Sequence, residues 1–280
     1  MTDVDAIVLD LDGGPMLAAC LASIAAQTVK PRRVIVFDNG SRTPTPGATA
    51  RSECNLGFAG GVNEAVKLAT APLVALINND VVLDADWLET VLRAMDERTA
   101  AVQTILRRED GSIDGAGIAV SDGTYRQLRS VILSREDGEG SAASGAARDR
   151  YGSFAVSAAQ DDRAWGVSAT ATLYRRELLR FDERFFAYYE DVELCARLHA
   201  AGWKTTVVQQ VKATHKGSAS ASRVNAKYLR TRNRYWVARL HPRVGSIKAL
   251  LWEDIKLLPR GRSSLRGIIA GLFGTMNDEG

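Results

Sequence analysis

Two adjacent carboxylates, Glu190 and Asp191, follow four aromatics in five residues, Phe185-Phe186-Ala187-Tyr188-Tyr189. Apolar residues at 194, 195, 198 and 201 recur at helical spacing and Gly202 stands where a helix would end, so residues 191–201 read as a short amphipathic helix with both carboxylates at its mouth. An anion there gains about 0.3–1 kcal/mol from unpaired amides and the macrodipole, which makes the pair helix caps. The same dipole would hold a carboxylate ionised at neutral pH, as a general base facing a cleft. Residue type alone leaves both roles open.

Other polar groups fall where apolar runs stop. Asp10 follows Ala6-Ile7-Val8-Leu9, and Asp38-Asn39-Gly40-Ser41 follows Val34-Ile35-Val36-Phe37; Asp-Asn-Gly is also the composition of a plain turn. Asn78-Asn79-Asp80 ends Leu73-Val74-Ala75-Leu76-Ile77 and runs on into Val81-Val82-Leu83. A carboxylate there suits either a turn or Mg²⁺ or Mn²⁺, hard cations that take oxygen ligands and bridge to diphosphates. His215, after Val211 to Thr214, is one of three histidines, and taken singly it fits a packed imidazole as well as a ligand. The run from Asn55 through Gly57, Gly60 and Gly61 to Asn63 precedes a helix, where glycines let amides approach a phosphate or sugar. Its spacing is neither a dinucleotide fingerprint nor a Walker A loop.

Elements must bring these positions together. Strand 6–9, helix 15–27 and strand 34–37 form the βαβ unit of a parallel sheet, in which ligands gather at the carboxyl ends of the strands. A helix over 85–97 carries Trp87, Leu88, Val91, Leu92 and Met95 on one face, and strands are predicted over 102–106, 113–120 and 125–133. Residues 134–150 are small and polar and read as a mobile loop or disordered insert. Residues 165–174 read as a strand with a short helix after them, and 205–208 and 211–214 as two further strands.

With 46% hydrophobic residues in 280, a folded protein with a sizeable core is expected. The net charge of +3 hides an asymmetry: from Leu194 to Trp252 there are twelve Lys or Arg and no Asp or Glu. Such a block suits an acidic polymer, an anionic membrane surface or a phosphorylated substrate, and no nucleic-acid-binding motif accompanies it. From Ser222 on, amphipathic helices carry basic and apolar faces that fit a membrane surface, a cap packed on the sheet or a dimer contact. Cys20, Cys54 and Cys195 are far apart with no CxxC pair, as reduced thiols would be. Without a signal-like N-terminus or an apolar run of about 18 residues, a cytoplasmic location is expected.

Taken in order, Asp38 to Ser41, Asn55 to Asn63, Asn78 to Asp80, Arg175-Arg176 before Phe181 to Phe186, Glu190 to Leu194 with Arg197 and Gly202, and His215 form a set that resembles the inverting nucleotide-sugar glycosyltransferases of family 2, in particular rhamnosyltransferase-like members. The resemblance spans about residues 4–240. It implies an α/β fold: one GT-A Rossmann-like domain with a mixed, mainly parallel sheet over residues 1–221, and a basic helical extension over 222–280. It implies a nucleotide pocket of Leu9, Asp10, Asp38, Asn55, Gly60, Asn63, Asn78 and Asn79, with Asp38 reading the imide of a pyrimidine. Asp80 and His215 would hold Mg²⁺ or Mn²⁺, and Asp191 would be the general base, with Glu190 orienting an acceptor that Trp165, Gly166 and Tyr188 help to bind. The donor would be dTDP- or UDP-linked. The acceptor would be a saccharide or lipid-linked saccharide, reached by a cytoplasmic protein that touches the inner membrane face or forms a homodimer. Two other classes share features: a nucleotidyltransferase, whose basic Gly-rich loop is missing from Leu9 to Gly14, and a nucleotide- or glycan-binding module without catalysis.

Overall fold

The computed structural model describes residues 2–128, 164–217, 225–261 and 263–274, so the 134–150 insert lies outside the described residues. In chain order the elements are β1 (Val4–Asp10), α1 (Gly14–Ala25), β2 (Arg33–Asp38), β3 (Ala50–Arg51), α2 (Gly57–Leu68), β4 (Leu73–Asn78), β5 (Val81–Leu83), α3 (Trp87–Arg93), β6 (Thr99–Arg107), β7 (Ile113–Gly115), β8 (Ile118–Ser121), β9 (Thr124–Gln127), β10 (Ala171–Arg175), α4 (Glu190–Ala200), β11 (Lys204–His215), α5 (Ala226–Leu240), α6 (Ile247–Leu257) and α7 (Leu265–Phe273).

Nine strands form one mixed sheet in the order β3-β2-β1-β4-β10-β6-β11-β5, with β7 added beside β6. β1 pairs parallel with β2 and β4, and β6 with β11, whereas β10 runs antiparallel to both β4 and β6. Alternation along β1 sets the two layers. Ile7 and Leu9 face one core with Val62 of α2 and Leu194 of α4, while Val4, Ala6 and Val8 face the other with Leu17 of α1 and Trp87 of α3. Covered on both faces, β1 is buried throughout, which is why its sequence is a nearly unbroken apolar run.

Register then places the polar ends. Asp10 sits beside Asp38 across β1 and β2, and Leu9 beside Asn78 across β1 and β4. The short return strand β5 pairs antiparallel with β11, setting His215 opposite Val81, the residue after Asp80.

Four expected strands differ. Residues 113–120 divide into β7 and β8. The strand expected over 165–174 is confined to β10, because Ser168 is instead tied to the Gln103 side chain, which it meets through its amide at 2.8 Å and its hydroxyl at 3.0 Å. The strands expected over 205–208 and 211–214 are one strand, β11, whose register shifts between Val208 and Ala213 absorb exposed Gln209 and Gln210.

The C-terminal helices join the same body. α5 is buried on several sides: Trp236 and Val237 meet the β8–β9 hairpin and Phe185, while Tyr235 and Ala238 meet Leu250 of α6 and Ile268 of α7. Gly267 and Gly271 let α7 lie close to α5, since a Cβ at either would press on the carbonyl of Tyr228 or Arg232.

Candidate active site

A cavity of about 500 Å³ opens above the carboxyl ends of β1 and β4. Leu9, Asn55, Asn78, Asn79, Asp80, Tyr188, Glu190, Asp191 and His215 line it, so groups at 80, 191 and 215 do share one space. Asn39, Asp114, Tyr125, Tyr189 and Arg230 stand on the same wall.

At one end, His215 bridges two carboxylates: Nε2 lies 3.2 Å from Asp80 Oδ2 and Nδ1 lies 2.6 Å from Asp114 Oδ2. Burial works against a charged imidazole, but the hydrogen bonds and charges of Asp114 and Asp80 overcome it and raise the His215 pKa to about 9. The other oxygen of Asp80, Oδ1, is buried with no protein partner, and so is Asn78 Oδ1. Buried oxygens of this kind call for a ligand. Among the described residues no three His, Cys, Asp or Glu side chains converge on one point as a closed cage would require. Asp80 and His215 nevertheless suit part of a coordination shell for Mg²⁺ or Mn²⁺, the imidazole giving up a proton to ligate and the remainder coming from a diphosphate and water, with Asp114 orienting the imidazole from behind.

At the other end, α4 begins at Glu190 behind Tyr189, which has φ +70° and gives no side-chain cap. Capping therefore accounts for little of the carboxylate pair: Asp191 accepts from the adjacent Val192 amide at 2.8 Å, and Glu190 Oε2 is buried without a partner. Burial raises the Asp191 pKa to about 6 against the pull of the Val192 and Ala169 amides. Burial, with the charge of Asp191 added, pushes Glu190 well above the usual carboxylate range. Of the two, Glu190 is the harder to ionise and Asp191 the readier base near neutrality. At the helix terminus desolvation raises both carboxyl groups, and Asp191, at about 6, is still mostly ionised at neutral pH.

The floor between the ends is built from amides. Asn39 Nδ2 donates to the Gly57 carbonyl at 2.9 Å and to Asn55 Oδ1 at 3.2 Å, and Asn39 Oδ1 accepts from the Leu56 amide at 3.1 Å. This fixes the glycine turn against β2. Gly57 itself has φ +74° and no room for a Cβ beside the Phe186 carbonyl, so the turn and the aromatic segment touch directly. Over that segment the Arg230 guanidinium stacks 4.4 Å from the Tyr188 ring.

The remaining residues expected at the site lie behind the wall. Asp38 is fully buried and accepts from the Ser41 amide at 2.8 Å, the Thr45 amide at 2.9 Å and Arg51 Nη1 at 2.8 Å. Burial opposes its charge, yet those amides and Arg51 leave its pKa lowered. Asp10 accepts from Asn79, Gly13 and Thr45 beneath the cleft. Asn63 binds the backbone of Phe181 through both ends of its amide, at 2.9 Å each. Gly60 is interior to α2, where a Cβ would meet Leu56 at 3.1 Å. Trp165 packs edge-on against His199 at 4.8 Å, and Gly166 pairs with Ile118.

Asp114, Asn39 and Arg230 are among the site residues that the sequence did not assign. Asn39 was inside a recognised motif. Asp114 and Arg230 carried no local signal, because one sits on a three-residue strand and the other in a generally basic helix.

Known proteins resemble this chain in sequence and in fold. The family model described as Glycosyl transferase family 2 matches residues 12–181. The chain is 29% identical over 262 residues to an N-acetylglucosaminyl-diphospho-decaprenol L-rhamnosyltransferase of Mycobacterium tuberculosis, covering 82% of this chain and 81% of the relative. The same identity holds over 170 residues of an O-antigen biosynthesis protein, RfbC, of Myxococcus xanthus, 56% of this chain but 12% of that one. Among solved structures, the mannosyltransferase PcManGT of Pyrobaculum calidifontis, in complex with GDP-Man and Mn²⁺, superposes with a TM-score of 0.57 at 16% identity, covering 99% of this chain and 76% of that one. S. aureus TarS 1–349 in complex with UDP-GlcNAc gives 0.54 at 18% identity, covering 85% of this chain and 65%, under two-thirds, of that one. These likenesses bear out the GT-A fold.

Proposed function

The chain belongs to glycosyl transferase family 2, and on that footing we propose that its cleft moves a sugar, with inversion, from a pyrimidine nucleotide to a hydroxyl of a saccharide or lipid-linked saccharide. The observation that carries this reading is that one cavity is lined both by Asp80 with His215 and by Glu190 with Asp191. A leaving group and a nucleophile need opposite faces of one carbon, and the cavity offers a site for each.

The donor enters over Leu9, Asn39, Asn55 and Asn78, with its diphosphate toward Asp80 and His215. Bound there, Mg²⁺ or Mn²⁺ supplies positive charge against the charge that builds on the departing nucleoside diphosphate. The chain does the rest. Asp38 holds the loop from Ser41 to Thr45, and Asp10 holds Asn79, so both shape the pocket from behind. The acceptor hydroxyl approaches from the side of Tyr188; Asp191 takes its proton as the bond to the anomeric carbon forms. Glu190 beside it, its carboxyl pushed up by burial and by the charge of Asp191, orients a neighbouring acceptor hydroxyl through a hydrogen bond.

The outer face of α6 and α7 supports a peripheral membrane position for a protein working on lipid-linked acceptors. Trp252, Ile255, Leu265, Ile269 and Phe273 are between 53% and 79% exposed. Exposed Lys248, Lys256 and Arg266 stand among them, while the acidic residues of α6, Glu253 and Asp254, turn inward to Arg234. Among the described residues no helix is long and apolar enough to cross a membrane.

The test is release of nucleoside diphosphate from dTDP-rhamnose, UDP-GlcNAc, UDP-galactofuranose and GDP-mannose, with Mn²⁺ and a synthetic GlcNAc-diphospho-prenol acceptor. Acceptor-dependent release from a pyrimidine donor, with inverted product, is the expected result. Turnover of the GDP sugar alone would overturn the pyrimidine assignment, and pyrophosphate exchange without sugar transfer would overturn the transferase reading.

A further inference from the structure

Besides Arg230 on the cavity wall, α5 holds the site from behind through Asn233. Asn233 has no exposed surface, and its Nδ2 donates to three carbonyls of one segment: Phe185 at 2.9 Å, Ala187 at 2.9 Å and Tyr188 at 2.7 Å. Its Oδ1 accepts from Arg232 Nε at 2.9 Å. Arg232 is itself 2% exposed, lies 4.0 Å over the Trp236 ring and directs Nη2 toward the carbonyls of Arg184 and Phe185, 3.4 Å from each.

The segment so held is one that would not keep its shape unaided. Phe186, Tyr188 and Tyr189 have φ of 62°, 71° and 70°, a left-handed conformation that bulky residues adopt only where the surroundings impose it. The next two residues are Glu190 and Asp191. α2 contributes one bond from the opposite side, from the Ala59 amide to the Phe186 carbonyl at 3.1 Å. The direction of both carboxyl groups therefore depends on a turn that is fastened chiefly by an amide 45 residues downstream of Tyr188.

We propose that Asn233, seated by Arg232, is a positioning residue for sugar transfer: its amide holds the Phe185–Tyr188 backbone so that Asp191 faces the acceptor, which makes α5 a working part of the site. This rests on the reading of Asp191 as general base. A buried asparagine that only satisfied loop carbonyls would affect stability and nothing more. A positioning role separates the acceptor end, which depends on the turn, from the donor end at Asp80 and His215, which does not.

The experiment compares the full native chain with Asn233→Leu, which is matched in shape but has no donor. Three quantities are read: amide hydrogen exchange over residues 185–191 and over β1 and β4, binding of UDP with Mn²⁺ by calorimetry, and kcat with dTDP-rhamnose and the synthetic acceptor. In Asn233→Leu, exchange over 185–191 speeds up at least about tenfold with β1 and β4 unchanged. UDP affinity stays within about twofold, while kcat falls about 10²-fold, the scale of a misplaced reacting group. Unaltered exchange over 185–191, or a loss of rate matched by equal losses in UDP affinity and β1 protection, overturns the proposal. Should Asn233→Leu fail to fold, Asn233→Ser keeps one donor, set back by one bond from Nδ2, and is judged by the same readings, with an intermediate loss of rate expected. Should the native chain transfer no sugar, the functional reading fails by itself, and the exchange comparison still decides whether Asn233 holds the turn.

Discussion

Asn79 Nδ2 donates to Asp10 Oδ1 at 2.7 Å, tying the turn after β4 to the end of the neighbouring parallel strand β1 beneath the cleft. The Gly13 amide reaches the same Asp10 oxygen at 3.1 Å, and a Cβ at Gly13 would collide with both Asp10 Oδ1 and Asn79 Nδ2. Gly13→Ala should therefore force the pair apart. Asn79 and Asp80 move with it, and an amide or carboxylate left unpaired there costs about 1–3 kcal/mol. We expect UDP binding with Mn²⁺ to weaken roughly tenfold and the thermal midpoint to fall, with the far-ultraviolet dichroism unchanged. Calorimetric titration checks it; undiminished affinity would mean that the turn holds its place without Asp10.

Asp191 titrates at about 6 because burial disfavours its charge more than the amides of Val192 and Ala169 favour it. The sign follows directly: the base form is scarce below that value and dominant above it. kcat/KM should rise about tenfold per pH unit below 6 and level off above about 7. Asp191→Asn should lose this limb, retain UDP affinity and run about 10²–10⁴-fold slower. A native profile that stays level through pH 6 would assign proton removal to another group.

Asp80 has one oxygen near His215 and another that is buried and unpartnered. Asp80→Ala removes both from the end of the cavity where a diphosphate would lie. UDP affinity measured with Mn²⁺ should drop to that measured with chelator, a loss of about tenfold or more. Asp114→Asn should reduce the Mn²⁺ effect less, about 10-fold at most, because it acts on the imidazole and not on the ion. If Asp80→Ala binds UDP as the native chain does, with the same response to Mn²⁺, the ion lies elsewhere.

What the sequence disclosed follows from what local pattern can encode. β1, β4 and the last four residues of β2 are largely buried, so each is an apolar run that stops at a polar residue, and the site's floor was readable from where those runs end. The direction of a side chain was not. Asp10 and Asp38 end strands just as Asp80 does, yet both turn down into loops that they hold, and only register and the 41–45 loop decide that. Asp114 meets His215 across 101 residues, through a strand of three residues too short to show a period. The Trp165–Thr170 segment has strand-like composition but spends its polar groups on Gln103 and on Asn78, whose amide donates to the Thr170 carbonyl at 2.9 Å.

Trp252 and Phe273 are 64% and 79% exposed, and Lys256 Nζ lies 4.6 Å over the Trp252 ring, so an aromatic edge and a cation are offered together. Vesicles containing phosphatidylglycerol should bind the chain, and neutral phosphatidylcholine vesicles far less, since each basic residue near an anionic surface adds about 1 kcal/mol. Raising salt should weaken the charged part and leave the apolar part. Partial burial of a large side chain is worth about 1–2 kcal/mol, so Trp252→Ser with Phe273→Ser should reduce vesicle affinity at least about tenfold. Neither residue lines the cavity, so transfer to a water-soluble acceptor should proceed at the native rate in the same variant. Flotation that is equal for both vesicle types, or indifferent to the double substitution, would detach this face from the membrane and leave its apolar stripe to a protein partner, which sedimentation velocity would reveal as a second copy of the chain.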